Sequence, residues 1–212
     1  MKILAIALFL FCFICSFAGD IVVGIQNGIG QSYELNRYDV SSLWGYRGAF
    51  YFDFATSKNI KIEPLLSFSQ KGSISKLHET SFDPNNPYAI ITTGVLDLPS
   101  RSQIVSFAIG IKPFYSFDKI DIFAMAAPRV DYLFKRTIDN SALGGGLEDI
   151  TRVTTKWIPG INLDAGFDYK IKSFLIGLVF NNEFDLNYTK ADFGDTFRSY
   201  KYSILLNIGY TL

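Results

Sequence analysis

From Tyr202 to Leu212 every second residue is apolar: Tyr202, Ile204, Leu206, Ile208, Tyr210 and Leu212 share one face, while Lys201, Ser203, Leu205, Asn207, Gly209 and Thr211 share the other. A period of two marks a strand with one face in an apolar medium. The alternation recurs at Trp44, Tyr46, Gly48, Phe50, Phe52 and Phe54, and again at Ile60, Ile62, Pro64, Leu66 and Phe68. Along the chain it predicts eight strands, at about 20–32, 43–55, 60–72, 102–114, 120–136, 155–169, 173–187 and 200–212. The connections alternate: 33–42, 73–101, 137–154 and 188–199 are long, and 56–59, 115–119 and 170–172 are short. Short turns at one end and long loops at the other define an all-β, eight-stranded antiparallel up-and-down transmembrane β-barrel, with both termini on the periplasmic side. About 12 residues at roughly 3.3 Å each, tilted by about 45°, cover the apolar band of such a barrel.

A soluble barrel would turn its apolar face inward; here the second face carries the charges. Seven basic and eight acidic residues fall on it: Arg47, Lys61, Lys71, Lys112, Arg129, Lys135 and Lys201, with Asp53, Glu63, Asp121, Asp131, Asp164, Asp168, Glu183 and Asp185. Eight strands enclose little more than side chains, so this set is expected to pair off and close the lumen to ions, with Arg129 as the central cation. Glycines on the same face, among them Gly24, Gly160 and Gly209, make room for long side chains. On the apolar face, Trp44, Tyr46, Tyr132, Trp157 and Tyr202 are expected in an outer aromatic girdle, and Tyr169 and Tyr210 in an inner one. Phe107 and Ile176 are expected near mid-membrane. Pro64, Pro113, Pro128 and Pro159 interrupt the strands on that same face, where bulges are the expected accommodation.

Lys and Arg number 20, as do Asp and Glu, a balance that excludes a basic nucleic-acid binder. Residues 1–18 read as a secretory signal peptide: Lys2, an apolar stretch from Ile3 to Ile14, then Ser16-Phe17-Ala18. The barrel domain is then 19–212, without the two cysteines, and its address is the bacterial outer membrane. Catalytic stock is small. The single histidine, His78, lies in a long connection near Ser75, Glu79 and Ser81, where a solvated side chain is expected rather than a triad. Gly144-Gly145-Gly146 lacks the lysine of a phosphate loop and reads as a flexible tip, and no acidic cluster has calcium-loop spacing. No enzyme activity, metal or cofactor is expected. Glu183 and Asp185, two residues apart and inward, are assigned to ion pairing.

Several segments resemble one family. Asn59 to Gly72, NIKIEPLLSFSQKG, closely resembles the third-strand signature of the PorT-type outer-membrane β-barrel proteins of Bacteroidetes-like bacteria. Gly24 to Gly30, GIQNGIG, looks like that family's glycine-punctuated first strand, Ala127 to Leu133, APRVDYL, like its fifth, and Leu206 to Leu212 like its last. Two departures stand out: the chain ends on Leu212 where an aromatic is usual, leaving recognition by the barrel-assembly machinery to Tyr210, and Leu96-Asp97-Leu98-Pro99 only loosely echoes the fourth-strand start. The resemblance implies an eight-stranded outer-membrane barrel whose partners are outer-membrane lipids, the assembly machinery and a protein met through its extracellular loops. It implies no single activity. A porin-like display protein for adhesion or envelope assembly leads the readings, ahead of a lipid A-modifying enzyme and a narrow solute channel.

Overall fold

The computed structural model describes residues 21–35, 40–83, 86–150, 156–190 and 196–212. The expected signal peptide and its cleavage point lie outside them. Eight long strands form the wall: β1 (Ile21–Leu35), β2 (Val40–Ser57), β3 (Ile60–Asp83), β4 (Asn86–Phe117), β5 (Ile120–Asp139), β7 (Trp157–Ile171), β8 (Phe174–Asp185) and β10 (Thr196–Thr211). Two short ones, β6 (Leu147–Asp149) and β9 (Thr189–Lys190), lean on β5 and β10. Each long strand pairs antiparallel with its neighbour, and β1 pairs with β10 from Val22↔Thr211 to Leu35↔Arg198, which closes the sheet into an up-and-down barrel. With no free edge, every wall strand satisfies its backbone within the ring, as a strand crossing a bilayer must.

The turn end is tight. Lys58-Asn59, Asp118-Lys119 and Lys172-Ser173 each join two strands, and Asp118 (φ 51°) and Lys172 (φ 56°) take the left-handed conformation that tight hairpins favour. At the opposite end the structure departs from the expected loops. Residues 73–83 and 86–101 are not irregular: β3 and β4 stay paired to Asp83↔Asn86, so β3 runs 24 residues and β4 runs 32, a two-stranded ribbon projecting past the wall. Lys76 to Thr80, which cover both faces of the ribbon, are exposed, so no amphipathic alternation is needed there, and a reading built on that alternation stops below them. The described part of the 137–154 connection, residues 137–150, also has regular structure. Ser141–Leu143 forms one 3-10 turn, Gly144 follows at φ 77°, and the Asn140 amide donates to the Gly146 carbonyl at 3.1 Å. The Ser141 hydroxyl and amide both donate to Asp139, holding that exposed carboxyl below its usual range.

The prolines sit differently from expectation. No register shift occurs at Pro64, Pro113, Pro128 or Pro159. The β2–β3 ladder skips from Tyr51↔Leu65 to Phe54↔Ile62, and the β4–β5 ladder from Ala108↔Arg129 to Ile111↔Ala126 to Phe114↔Phe123, on unchanged register. A residue in an antiparallel strand bonds toward one neighbour only, so each of these prolines omits a single rung and keeps its place. A true bulge lies elsewhere. Gln103↔Lys135 is followed by Ile104↔Leu133, so Phe134 is an extra residue in β5.

Candidate functional site

Strand parity decides which side chains enter the lumen. Arg47, Asp53, Lys61, Glu63, Lys71, Lys112, Asp121, Arg129, Asp131, Asp164, Asp168, Glu183, Asp185 and Lys201 are all buried there. Lys135 is not, a correction to the inward assignment. The Phe134 bulge inverts parity in β5, leaving Lys135 exposed and burying Arg136 in its place. Sequence reading gave no inward role to Arg136 or Glu34, whose pair at 2.7 Å lies at the loop end, with the guanidinium 4.3 Å from the Phe197 ring. The bulge and the continuation of β1 past residue 32 create this pair, and neither leaves a mark in the hydropathy pattern.

The charges divide into two clusters. Toward the loop end, Arg129 donates to Glu183 at 2.8 Å and to Asp185, and lies 3.3 Å from Asp131. Lys71 meets the same three carboxylates at 3.1, 3.0 and 3.1 Å. Arg47 faces Glu183 at 3.3 Å, and Lys201 donates to the Tyr46 and Gln70 carbonyls at 2.9 and 3.0 Å. A planar fork beside an ammonium lets three carboxylates share two cations, so none of these three acids lacks a counter-charge. Gly160 leaves the space the guanidinium occupies: a Cβ there would meet Arg129 and the Phe184 carbonyl. Toward the turn end, Lys112 bridges Asp53 at 3.0 Å and Glu63 at 2.8 Å, 4.1 Å from the centre of the Phe123 ring. Lys61 and Lys170 bracket Asp121 at 3.9 and 2.7 Å. Asp164 accepts from Asn181, and Asp168 from Asn207, both at 2.6 Å.

Inward residues are not uniformly polar. Phe123, Val179 and Leu205 form one buried apolar cluster, and Tyr51, Leu65, Met125 and Leu175 belong to another. The interior is a packed mixture of apolar side chains and ion pairs, held by strands on every side.

The outward series is apolar and exposed, including Trp44, Tyr46, Tyr132, Trp157 and Tyr202 toward the loop end, and Tyr169, Tyr210 and Leu212 toward the turn end. The Tyr132 and Trp157 rings meet tilted at 4.8 Å, and Phe174 meets Tyr210 edge-on at 5.1 Å. Phe54, of the same series, is nevertheless buried and stacks on Phe52. One depth assignment shifts: Ile176 pairs with Tyr169 and Ile208, two residues above a turn, and so is not central, whereas Phe107 pairs with Leu66 on β3 and with Val130, midway along β5. Phe180, between Ala165 and Ile204, takes the central level on β8. Outside the wall, β3, β4, β5 and β7 frame an apolar concavity of about 550 Å³ beside the Tyr132–Trp157 pair. His78 is exposed in the ribbon opposite Val95. Among the described residues no group of histidine, cysteine and carboxylate side chains is arranged to hold a metal ion.

No protein-family model matches the chain, and no curated protein matches its sequence. Its fold matches solved structures. The outer membrane protein OprG from Pseudomonas aeruginosa superposes with a TM-score of 0.57 at 8% identity, over 92% of this chain and 96% of that one. Neisserial surface protein A superposes with a TM-score of 0.51 at 7% identity, over 90% and 96%. The chain therefore has the fold of the small outer-membrane β-barrels.

Proposed function

We propose that this protein is a non-enzymatic outer-membrane barrel of PorT-like type that acts through the surface it presents at its loop end, in adhesion or in assembly of an envelope complex. The supporting observation is a lumen filled by interlocked ion pairs beneath a long paired ribbon, β3–β4, that rises past the wall. A plugged body offers nothing for solute flow, and a ribbon paired to Asp83↔Asn86 offers a stiff platform for a partner. In this reading the exposed aromatics sit at headgroup depth, and a cleaved leader takes the chain across the inner membrane. Tyr210 and Leu212 present its last strand to the assembly machinery.

The test has two arms. Purified protein in a planar bilayer is expected to show no steady conductance. In intact cells, cross-linking through the ribbon is expected to capture a defined envelope protein. A variant in which 76–97 is replaced by a two-residue turn at the Ser75↔Leu98 pair should reach the outer membrane and lose that partner. A stable open channel, or capture unaffected by loss of the ribbon, would overturn the reading.

A further inference from the structure

The apolar concavity on the outer wall adjoins an uncompensated pair of cations. On β4, Arg101, Gln103, Val105 and Phe107 alternate with the buried Ser102, Ile104 and Ser106, so they share the outward face. Val105 and Phe107 line the concavity together with Leu66, Val130 and Trp157. Across the ladder Gln103 faces Lys135, which the bulge has turned outward next to Phe134, another lining residue. Arg101 is two residues further along β4, a diagonal neighbour of Lys135, close enough for one anion to touch both. The residues in register around them are Gln70, Gly72 and Thr137, all uncharged. The nearest carboxylate in that register, Asp149, stands one strand beyond, opposite Thr137.

We propose that this face binds a lipid with an anionic phosphate headgroup, its acyl chain lying in the concavity and its phosphate held by Arg101 and Lys135, with the Gln103 amide between them. An acyl chain is the only ligand chemistry that suits an apolar concavity open to a bilayer, and two cations at the loop-end rim of the wall lie where lipid headgroups are. The bulge builds the site. Without Phe134 as an extra residue, Lys135 would point into the lumen and the rim would carry one cation instead of two. The proposal rests on placing the barrel in a membrane.

Both tryptophans of the chain, Trp44 and Trp157, are exposed on the outer wall, and three strands separate β2 from β7 either way round the barrel, so each reports on its own side. The barrel, carrying either Trp44→Phe or Trp157→Phe, is folded into phosphatidylcholine vesicles doped with brominated-chain phosphatidylglycerol or brominated-chain phosphatidylcholine. Trp157 fluorescence is expected to be quenched at an about 25-fold lower mole fraction of the anionic lipid, with about fivefold preference lost for each cation removed. Trp44 is expected to show no preference. Arg101→Gln with Lys135→Gln should erase the preference at Trp157, while quenching by brominated phosphatidylcholine persists and reports intact insertion. Equal quenching of Trp157 by the two lipids, equal preference at Trp44, or preference surviving in the double variant would each overturn the site. Quenching of neither tryptophan by either lipid would overturn the membrane placement itself, and the site with it.

Discussion

Replacing Arg129 with alanine is expected to destabilise the barrel by about 3–5 kcal/mol, the usual cost of stranding buried charges by removing one partner. Asp131, Glu183 and Asp185 would be left to Lys71 and Arg47, neither of which can replace the two-pronged grip on Glu183 and Asp185. Arg129→Lys keeps the charge without the fork and should fall between. Lys135→Ala, six residues along the same strand but exposed, should change stability by no more than about 0.5 kcal/mol. Urea titrations of vesicle-folded protein measure all three. Similar losses for Arg129→Ala and Lys135→Ala would mean that the lumen pairs contribute nothing particular to the fold.

A charge on the outer wall should hurt by depth. Phe180→Arg places a guanidinium at the central level of β8 and is expected to cost about 2–4 kcal/mol in the same titration, whereas Ile176→Arg, near the turn end, should cost about 0–1 kcal/mol. Leu147→Arg in β6, where the native side chain is 76% exposed beyond the wall, should be close to neutral. If the three variants unfolded together, the apolar series would not be facing lipid.

Parity in a one-sided strand is a strong message, because a slip of one residue would put a whole hydrophobic series in the lumen. That is why the inward positions of Arg129, Glu183 and Asp185 are legible from residue order alone. The message fails where its physical basis fails. At Phe134-Lys135 both side chains are exposed, and nothing in the local pattern says that a rung has gained a residue. Lys135 and Arg136 are chemically interchangeable to a hydropathy reading, and only the ladder shows which one enters. In the ribbon, His78 and Val95 face each other in water on both sides, so pairing there leaves no periodic trace. The prolines mislead for the opposite reason: they look prohibitive, yet each removes one rung from one neighbour. The pairing of Lys71 with three carboxylates from β5 and β8 depends on how the sheet curls, which residue order does not encode.

The β1–β10 ladder joins the two ends of the chain, pairing Val22 with Thr211, whereas β3 and β4 begin their pairing at Asp83↔Asn86, almost within a turn. Chain closure is least costly in the second case and most costly in the first. The order of assembly follows from this: the β3–β4 hairpin can zip from its tip with local contacts, and the seam must wait until the intervening strands have brought its halves together. β1 also contributes no charge to the Arg129 and Lys112 clusters; its ion pair, Glu34–Arg136, sits at the rim. Across the seam, side chains add the Tyr202–Gln31 hydrogen bond and the Tyr33–Tyr200 ring contact near the rim but, among the described residues, no buried ion pair, and of the eight ladders it is where native-state amide exchange should begin.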